Sequence, residues 1–317
     1  MTELAQIDFR GVNPRWPSRE TVIRWIHETT PWTMDQAVAY NARADTKNIR
    51  NTLPTSSYSP VGYRKSANAF ALAMKGEPWE AEMSEALGYQ LFGDQLYFFW
   101  HRQFRILFPE RERPLRMMNW EAMTEAMATA FILGWVTVGT YQGYLVHAAL
   151  NCAYQLEISY ESKHRRGHAF MLRLFASWCG NVNHAWPPFA QEEPIYEGIL
   201  ERWREPNPEA LKPWLIAACD RHTYEALPDT EDDFHDFSRL VHVPLEILLL
   251  FRLRELIGLV NPVLEHPLMD SPFNKLPKPA PPYVPDELMR GTLARVREDW
   301  PKFDNAVSLE AVRMLAL

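Results

Sequence analysis

Between Ala126 and Leu156 the chain runs for 31 residues without an aspartate, glutamate, lysine or arginine. A helical stretch that long and uncharged either spans a bilayer or forms the centre of a helical core. Its polarity favours the core. Thr137, Thr140, Gln142, His147, Asn151 and Gln155 recur through it, and no basic cluster beside either end would fix an orientation across a membrane. Gly139 and Gly143 stand four apart, on one helix face, where a neighbouring helix can approach closely. Asn119 is placed to start one long helix through the whole stretch.

The remaining punctuation is also helical. Ser18 caps a helix through TVIRWIHE, with Pro31 as its stop. The polar segment from Asn41 to Pro60, ending NTLPTSSYSP, reads as a loop. GEPWEAEMSEALGYQLFGDQLYFFWHRQFRILF carries two helical stretches with Gly88 and Gly93 between or within them, and Pro109 and Pro114 break the pattern that follows. SKHRRGHAFMLRLFASWCGN predicts a helix ended by Gly180 and Asn181, and PIYEGILERW another. Asn207 caps a further helix with Pro208 in its first turn. His242, Val243 and Pro244 lead into LEILLLFRLRELI, apolar around nearly its whole circumference and stopped at Gly258. Arg252 and Arg254 on that helix need partners, and at least one is expected to pair with a carboxylate, Glu246, Glu255 or an acid of the preceding loop. Seven prolines between Pro262 and Pro282 then exclude a regular helix and predict an extended strap, after which PDELMRGTLARVRED forms a last helix. No strand-like alternation stands out. The expected fold is mostly α, a multi-helix bundle with a proline-rich extended strap near the C-terminus. It divides into an N-terminal helical region, 1–118, and a main helical region, 119–317, with the strap at 262–285, unless the two are one continuous domain.

Composition limits the function. The chain has 317 residues, 47% of them apolar, enough for a full core without disulfide or metal support. A net charge of -7 gives no overall reason to bind nucleic acid and mildly favours a basic partner. Cys152, Cys179 and Cys219 each lie in apolar helical context and read as small core residues. The start, MTELAQIDFR, lacks the apolar run of a secretory signal, so a cytoplasmic protein is expected. There is no GxSxG, no GxxxxGK, no GxGxxG and no HExxH. The basic patches HRQFR, RERPLR and KHRR are short and read as solvated helix ends.

The most lopsided dozen is EALPDTEDDFHD, Glu225 to Asp236, with six carboxylates and one histidine. A metal reading recruits Asp220, His222, His235, Asp236 and His242, and the adjacent His235-Asp236 pair is of the kind some metal-dependent phosphohydrolases use. A helical hydrolase built on His222, His235 and Asp236 is therefore one alternative, and a membrane-associated scaffold using the uncharged stretch is another. The ligand spacing does not fit the first, since His222 and His235 lie 13 apart across Pro228, and no cofactor or specific metal is expected. From Asn207 to Pro244 eight acids face three bases. Such a segment is either a solvated turn or a surface for a basic protein, in which Glu225, Asp229, Glu231, Asp232, Asp233 and Asp236 supply the charge and Phe234 and Phe237 supply apolar anchors.

The run WLIAACDRHTYEA, the acidic loop, and above all PLEILLLFRLRELIGLVNPVLEHPL from Pro244 to Leu268 resemble the C-terminal half of helical bacterial immunity proteins encoded beside type VI secretion effectors. The resemblance covers about a third of the chain and lies in fold-type residues. It implies a protein that is no enzyme and that neutralises a cognate toxin, often a nuclease, by tight binding in the cytoplasm. The implied partner is that toxin, with no nucleic acid and no membrane, and a homodimer is compatible with the same features.

Overall fold

The computed structural model describes residues 11–28, 33–43, 53–110, 118–152, 156–157, 166–180, 186, 188–226, 237, 240–270 and 276–317. Among them the chain is mostly α-helical. The only paired strands among the described residues are the dipeptides Met118–Asn119 and Leu156–Glu157, which bridge in parallel.

Helix α1 (Arg19–Glu28) starts at Ser18, whose Oγ accepts from the Thr21 amide at 3.3 Å, and α2 (Asp35–Ala42) follows. The segment expected as a loop up to Pro60 is instead helical from Thr55, as α3 (Thr55–Met74) with Pro60 inside it. Its polar side chains find buried partners. Ser57 Oγ accepts from the Ala37 amide at 3.2 Å, Tyr58 Oη and Thr292 Oγ1 are 2.6 Å apart, and Ser59 donates to Asp94 Oδ1 at 2.8 Å. A loop-like composition is thereby absorbed into a packed helix, because satisfied hydroxyls can be buried at little cost. Helix α4 (Glu80–Leu107) is one unbroken rod, with Gly88 and Gly93 inside it. A Cβ at Gly93 would lie 2.2 Å from the Ser59 nitrogen, so this glycine lets the α3 and α4 backbones touch.

The uncharged stretch does not form one helix. It folds into α5 (Trp120–Ile132), where Asn119 Oδ1 accepts from the Ala122 amide at 2.8 Å, and α6 (Val136–Asn151). The break is a Schellman turn: the Trp135 amide donates to Ala130 O at 2.8 Å, the Gly134 amide donates to Phe131 O at 2.9 Å, and Gly134 takes φ +80°. A distant segment holds this corner in place. The Ala280 amide donates to Leu133 O at 3.1 Å, Trp135 Nε1 donates to Ala280 O at 2.6 Å, and Pro279 fills the space where a Cβ on Gly134 would sit. Gly139 and Gly143 receive the rings of Phe131 and Phe175 rather than a helix backbone. No helix among the described residues is long and apolar enough to cross a membrane.

Among the described residues, α7 (Arg166–Cys179), α8 (Pro194–Arg202), α9 (Pro208–Glu225), α10 (Leu245–Leu256) and α11 (Glu287–Asp299) follow in order. Asn207 caps α9 by accepting from the Glu209 amide at 3.1 Å, as its sequence predicts. The described residues of the strap, 262–270 and 276–285, are irregular apart from one 3-10 turn, Pro267–Asp270. The chain does not end at α11. Trp300-Pro301 interrupts it, and α12 (Phe303–Ala306) and α13 (Leu309–Ala316) follow, with α13 packed on α6. One contiguous set of buried side chains extends from Val22 to Ala316.

The arginines of α10 divide the expected roles. Arg252 pairs with Glu255 at 2.9 Å and also donates to Ile132 O and Pro277 O, tying α10 to the end of α5 and to the strap. Fully buried Arg254 has no carboxylate in hydrogen-bond contact among the described residues. It instead donates to the carbonyls of Trp203, Glu205 and Val260, the last two at 3.0 and 2.6 Å. Its planar fork serves as a bracket for three chain segments. Arg254→Leu leaves three carbonyls without their donor and is expected to cost ~3 kcal/mol or more, measured as a fall in urea midpoint. An unchanged midpoint would show that water replaces the guanidinium freely.

A second buried group sets a pH dependence. Asp94 of α4 accepts from Ser59 Oγ and, at 2.6 Å, from Gln142 Nε2, and desolvation still raises its pKa to about 7. The folded state therefore holds a proton that the unfolded chain loses near pH 4. Stability from this group is full at low pH, falls as pH rises toward 7, and stays flat above, a change of about 4 kcal/mol. Asp94→Asn removes the charge, and a rotated Gln142 amide, whose Oε1 is without a partner, can accept from it. The variant is expected to be more stable than the parent by ~2 kcal/mol at pH 8 and to lose the advantage at pH 4. A variant less stable at pH 8 contradicts the assignment.

Candidate functional site

The residues proposed from sequence for chemistry or contact fall in three groups. Asp229, Glu231, Asp232, Asp233, Phe234, His235 and Asp236 lie outside the described residues. Glu225 ends α9 and is ion-paired at 2.5 Å with Arg221 one turn earlier, which also binds Glu193 at 3.1 Å. Phe237 is a correction. Expected as an exposed apolar anchor, it is fully buried, its ring stacked on His222 at 4.1 Å and nearly parallel to His168 at 6.2 Å. The charge run beside it suggested a surface, but a phenyl ring gains more from an apolar seat than from water.

That seat is built from three helices. Gly167 opens it at the start of α7, where a Cβ would fall 2.5 Å from Phe237 Cζ, and His168 follows. Across it, His222 of α9 places Nδ1 2.8 Å from Glu246 Oε1 of α10, and Nε2 3.0 Å from the Leu240 carbonyl. A carbonyl only accepts, so Nε2 carries a proton, and a second proton lies between Nδ1 and the carboxylate. Both nitrogens of His222 are thus committed, and neither is open to a metal.

The other expected ligands are committed elsewhere. His266 Nδ1 accepts from the Leu268 amide at 3.1 Å, so its Nε2 donates to Asp220 Oδ1, also at 3.1 Å. His242 Nε2 donates to Pro17 O at 2.8 Å and its ring packs on Trp16 at 4.2 Å; burial lowers its pKa to about 4, which keeps it neutral. Trp16 Nε1 donates in turn to Val241 O, and the Asn13 amide donates to Thr223 Oγ1, so the N-terminal segment is pinned to the end of α9 and the approach to α10. Asp220, His222 and His242 do not converge. Cys219, between Asp220 and the Glu246 pair, has its thiol pushed far up by burial and by those two carboxylates, which leaves it inert.

Sequence reading missed a different constellation. Glu121 and Glu125 lie one turn apart on α5, and His168 of α7 places Nε2 3.3 Å from Glu125 Oε1. One ligand atom from each of the three lies within 4.8 Å of the others. His168 and Glu125 are buried and Glu121 is part-exposed. The available signal was two carboxylates at i and i+4 entering an otherwise apolar helix, WEAMTEAMATAFI, where burial of charge needs a reason.

No family model, curated protein or solved structure matches this chain. What the site does is therefore a question for its side chains. Gly167→Ala must displace the Phe237 ring, with an expected loss of about 1–3 kcal/mol in denaturant. Unchanged stability would mean that the ring is not held in this seat.

Proposed function

We propose that the chain is a contact inhibitor, an immunity protein that acts in the cytoplasm by binding and neutralising a secreted antibacterial toxin rather than by catalysis. The identity of the partner rests on the resemblance carried by Pro244–Leu268. One structural observation supports the mode: the residues flanking the acidic segment are held, Ala226 buried at the end of α9, where part-exposed Glu225 pairs with Arg221, and Phe237 buried in its seat. Anchored ends shorten the conformational search of a loop, so less entropy is lost when a partner docks on it.

The charge supplies the rest. Five acids stand between Asp229 and Asp236, and only one base, Lys212, accompanies the ion-paired Arg221 on α9 before them. A toxin that acts on nucleic acid must present lysine and arginine to phosphates, and a carboxylate cluster competes for that surface and accelerates encounter at low salt. The expected partner is a basic nuclease domain.

Changing Asp229, Glu231, Asp232 and Asp233 together to the matching amides tests this. Stability is expected to move by less than ~0.5 kcal/mol per site, while association with the toxin encoded by the neighbouring gene slows and loses its salt dependence. Protection of cells expressing that toxin should fall in parallel. Unchanged rates at two ionic strengths together with full protection would place the contact elsewhere on the molecule.

A further inference from the structure

We propose that Glu121, Glu125 and His168 form a binding site for a transition-metal dication of the zinc or manganese class. The inference stands apart from the toxin-binding reading and departs from the expectation of no specific metal, which considered only the histidines near the acidic segment. Its ground is convergence. Three side chains of metal-ligating type, from two packed helices, each bring one donor atom within 4.8 Å of the other two. The His168 Nε2 to Glu125 Oε1 separation, 3.3 Å, equals the edge of a tetrahedron with metal-ligand bonds of ~2.0 Å. A small closing movement of the part-exposed Glu121 completes the set.

The donor chemistry selects the ion. One imidazole nitrogen and two carboxylate oxygens suit zinc or manganese better than calcium or magnesium, which prefer an all-oxygen shell. Carboxylates one turn apart on a helix repel each other, and a dication between them converts that repulsion into attraction. Burial of His168 and Glu125 strengthens it further, since the pair lies where water competes poorly. Three protein ligands leave a fourth position for water, the arrangement of an open rather than a closed site. The imidazole needs a free lone pair on Nε2, so binding releases any proton held there and weakens as pH falls.

The test uses full-length protein dialysed against EDTA and titrated calorimetrically with zinc chloride and with manganese chloride. One ion is expected to bind at one site per chain with a dissociation constant of about 10 µM or tighter. Affinity should fall between pH 7.5 and pH 5.5. Glu121→Gln, at the part-exposed ligand, should weaken binding by about tenfold or more while the metal-free melting temperature stays within ~3 °C of the parent. His168→Gln should weaken it at least as much, and cobalt(II) bound to the parent should lose its nitrogen-ligand absorption in that variant. Should His168→Gln fail to fold, Glu121→Gln alone decides. Absence of binding up to about 1 mM of either ion, or binding that Glu121→Gln leaves unchanged, overturns the site.

Discussion

Helices α5 and α6 carry no charged side chain after Glu125 and bury most of their residues, so neighbouring elements must cover them. Much of the architecture follows from supplying that cover. Helix α4 comes from the preceding sequence, α7 and α10 from the following hundred residues, and α13 from the end of the chain. The remaining gap lies at the corner where α5 turns into α6, and there the strap crosses. A proline-rich segment suits this place because its residues bring few amide donors that would otherwise need partners against an apolar surface. The donor it does offer, the Ala280 amide, meets Leu133 O, and its carbonyl meets Trp135.

A core this apolar makes every buried polar group expensive unless paired, and the pairs found here each join different helices or segments. Asp94 links α4 to α3 and α6, His222 links α9 to α10, His168 links α7 to α5, and Arg254 links α10 to the segments after α8 and before the strap. Wrong neighbours would leave these groups unsatisfied, so the pairs select one arrangement among many that would bury the same apolar area. Asp94 and the buried His242 act against each other as pH changes. Asp94, with its pKa raised to about 7, withdraws stability as pH rises toward neutrality. His242, held down to about 4, withdraws it as pH falls below its unfolded value near 6.5. Between roughly pH 4 and 7 their contributions have opposite slopes, and the net dependence is shallower than either alone.

Local signals in the sequence proved legible where a single turn of chain decides the outcome. Ser18, Asn119 and Asn207 each cap a helix where expected, although the one after Asn119 stops at Ile132, and Gly180 and Gly258 stand in positive φ just past α7 and α10. What escaped was decided by distant residues. Gly134 looks in sequence like Gly139 and Gly143, and the corner is marked by Pro279 packed against it and by Ala280 hydrogen-bonded to its neighbours Leu133 and Trp135, some 145 residues later. The segment before Pro60 reads as a loop until Asp94 and Thr292 satisfy its hydroxyls. Phe237 was misassigned for the same reason, since its neighbours in sequence are charged while its neighbours in space are Gly167, His168 and His222. The cluster of Glu121, Glu125 and His168 needs two helices to exist, and no spacing along one of them spells it out.

His168 stands where the two proposals meet. Its ring lies nearly parallel to Phe237 and its Nε2 faces Glu125, so one side chain belongs both to the seat of the acidic segment and to the candidate cation site. A dication on Nε2 would hold the imidazole in one tautomer and one orientation, removing rotamers that an unliganded ring samples. The seat of Phe237 would then be stiffer, and the segment it roots would lose less entropy on meeting a partner. By reciprocity, a partner that favours the seated Phe237 must tighten the ion by the same factor by which the ion tightens the partner.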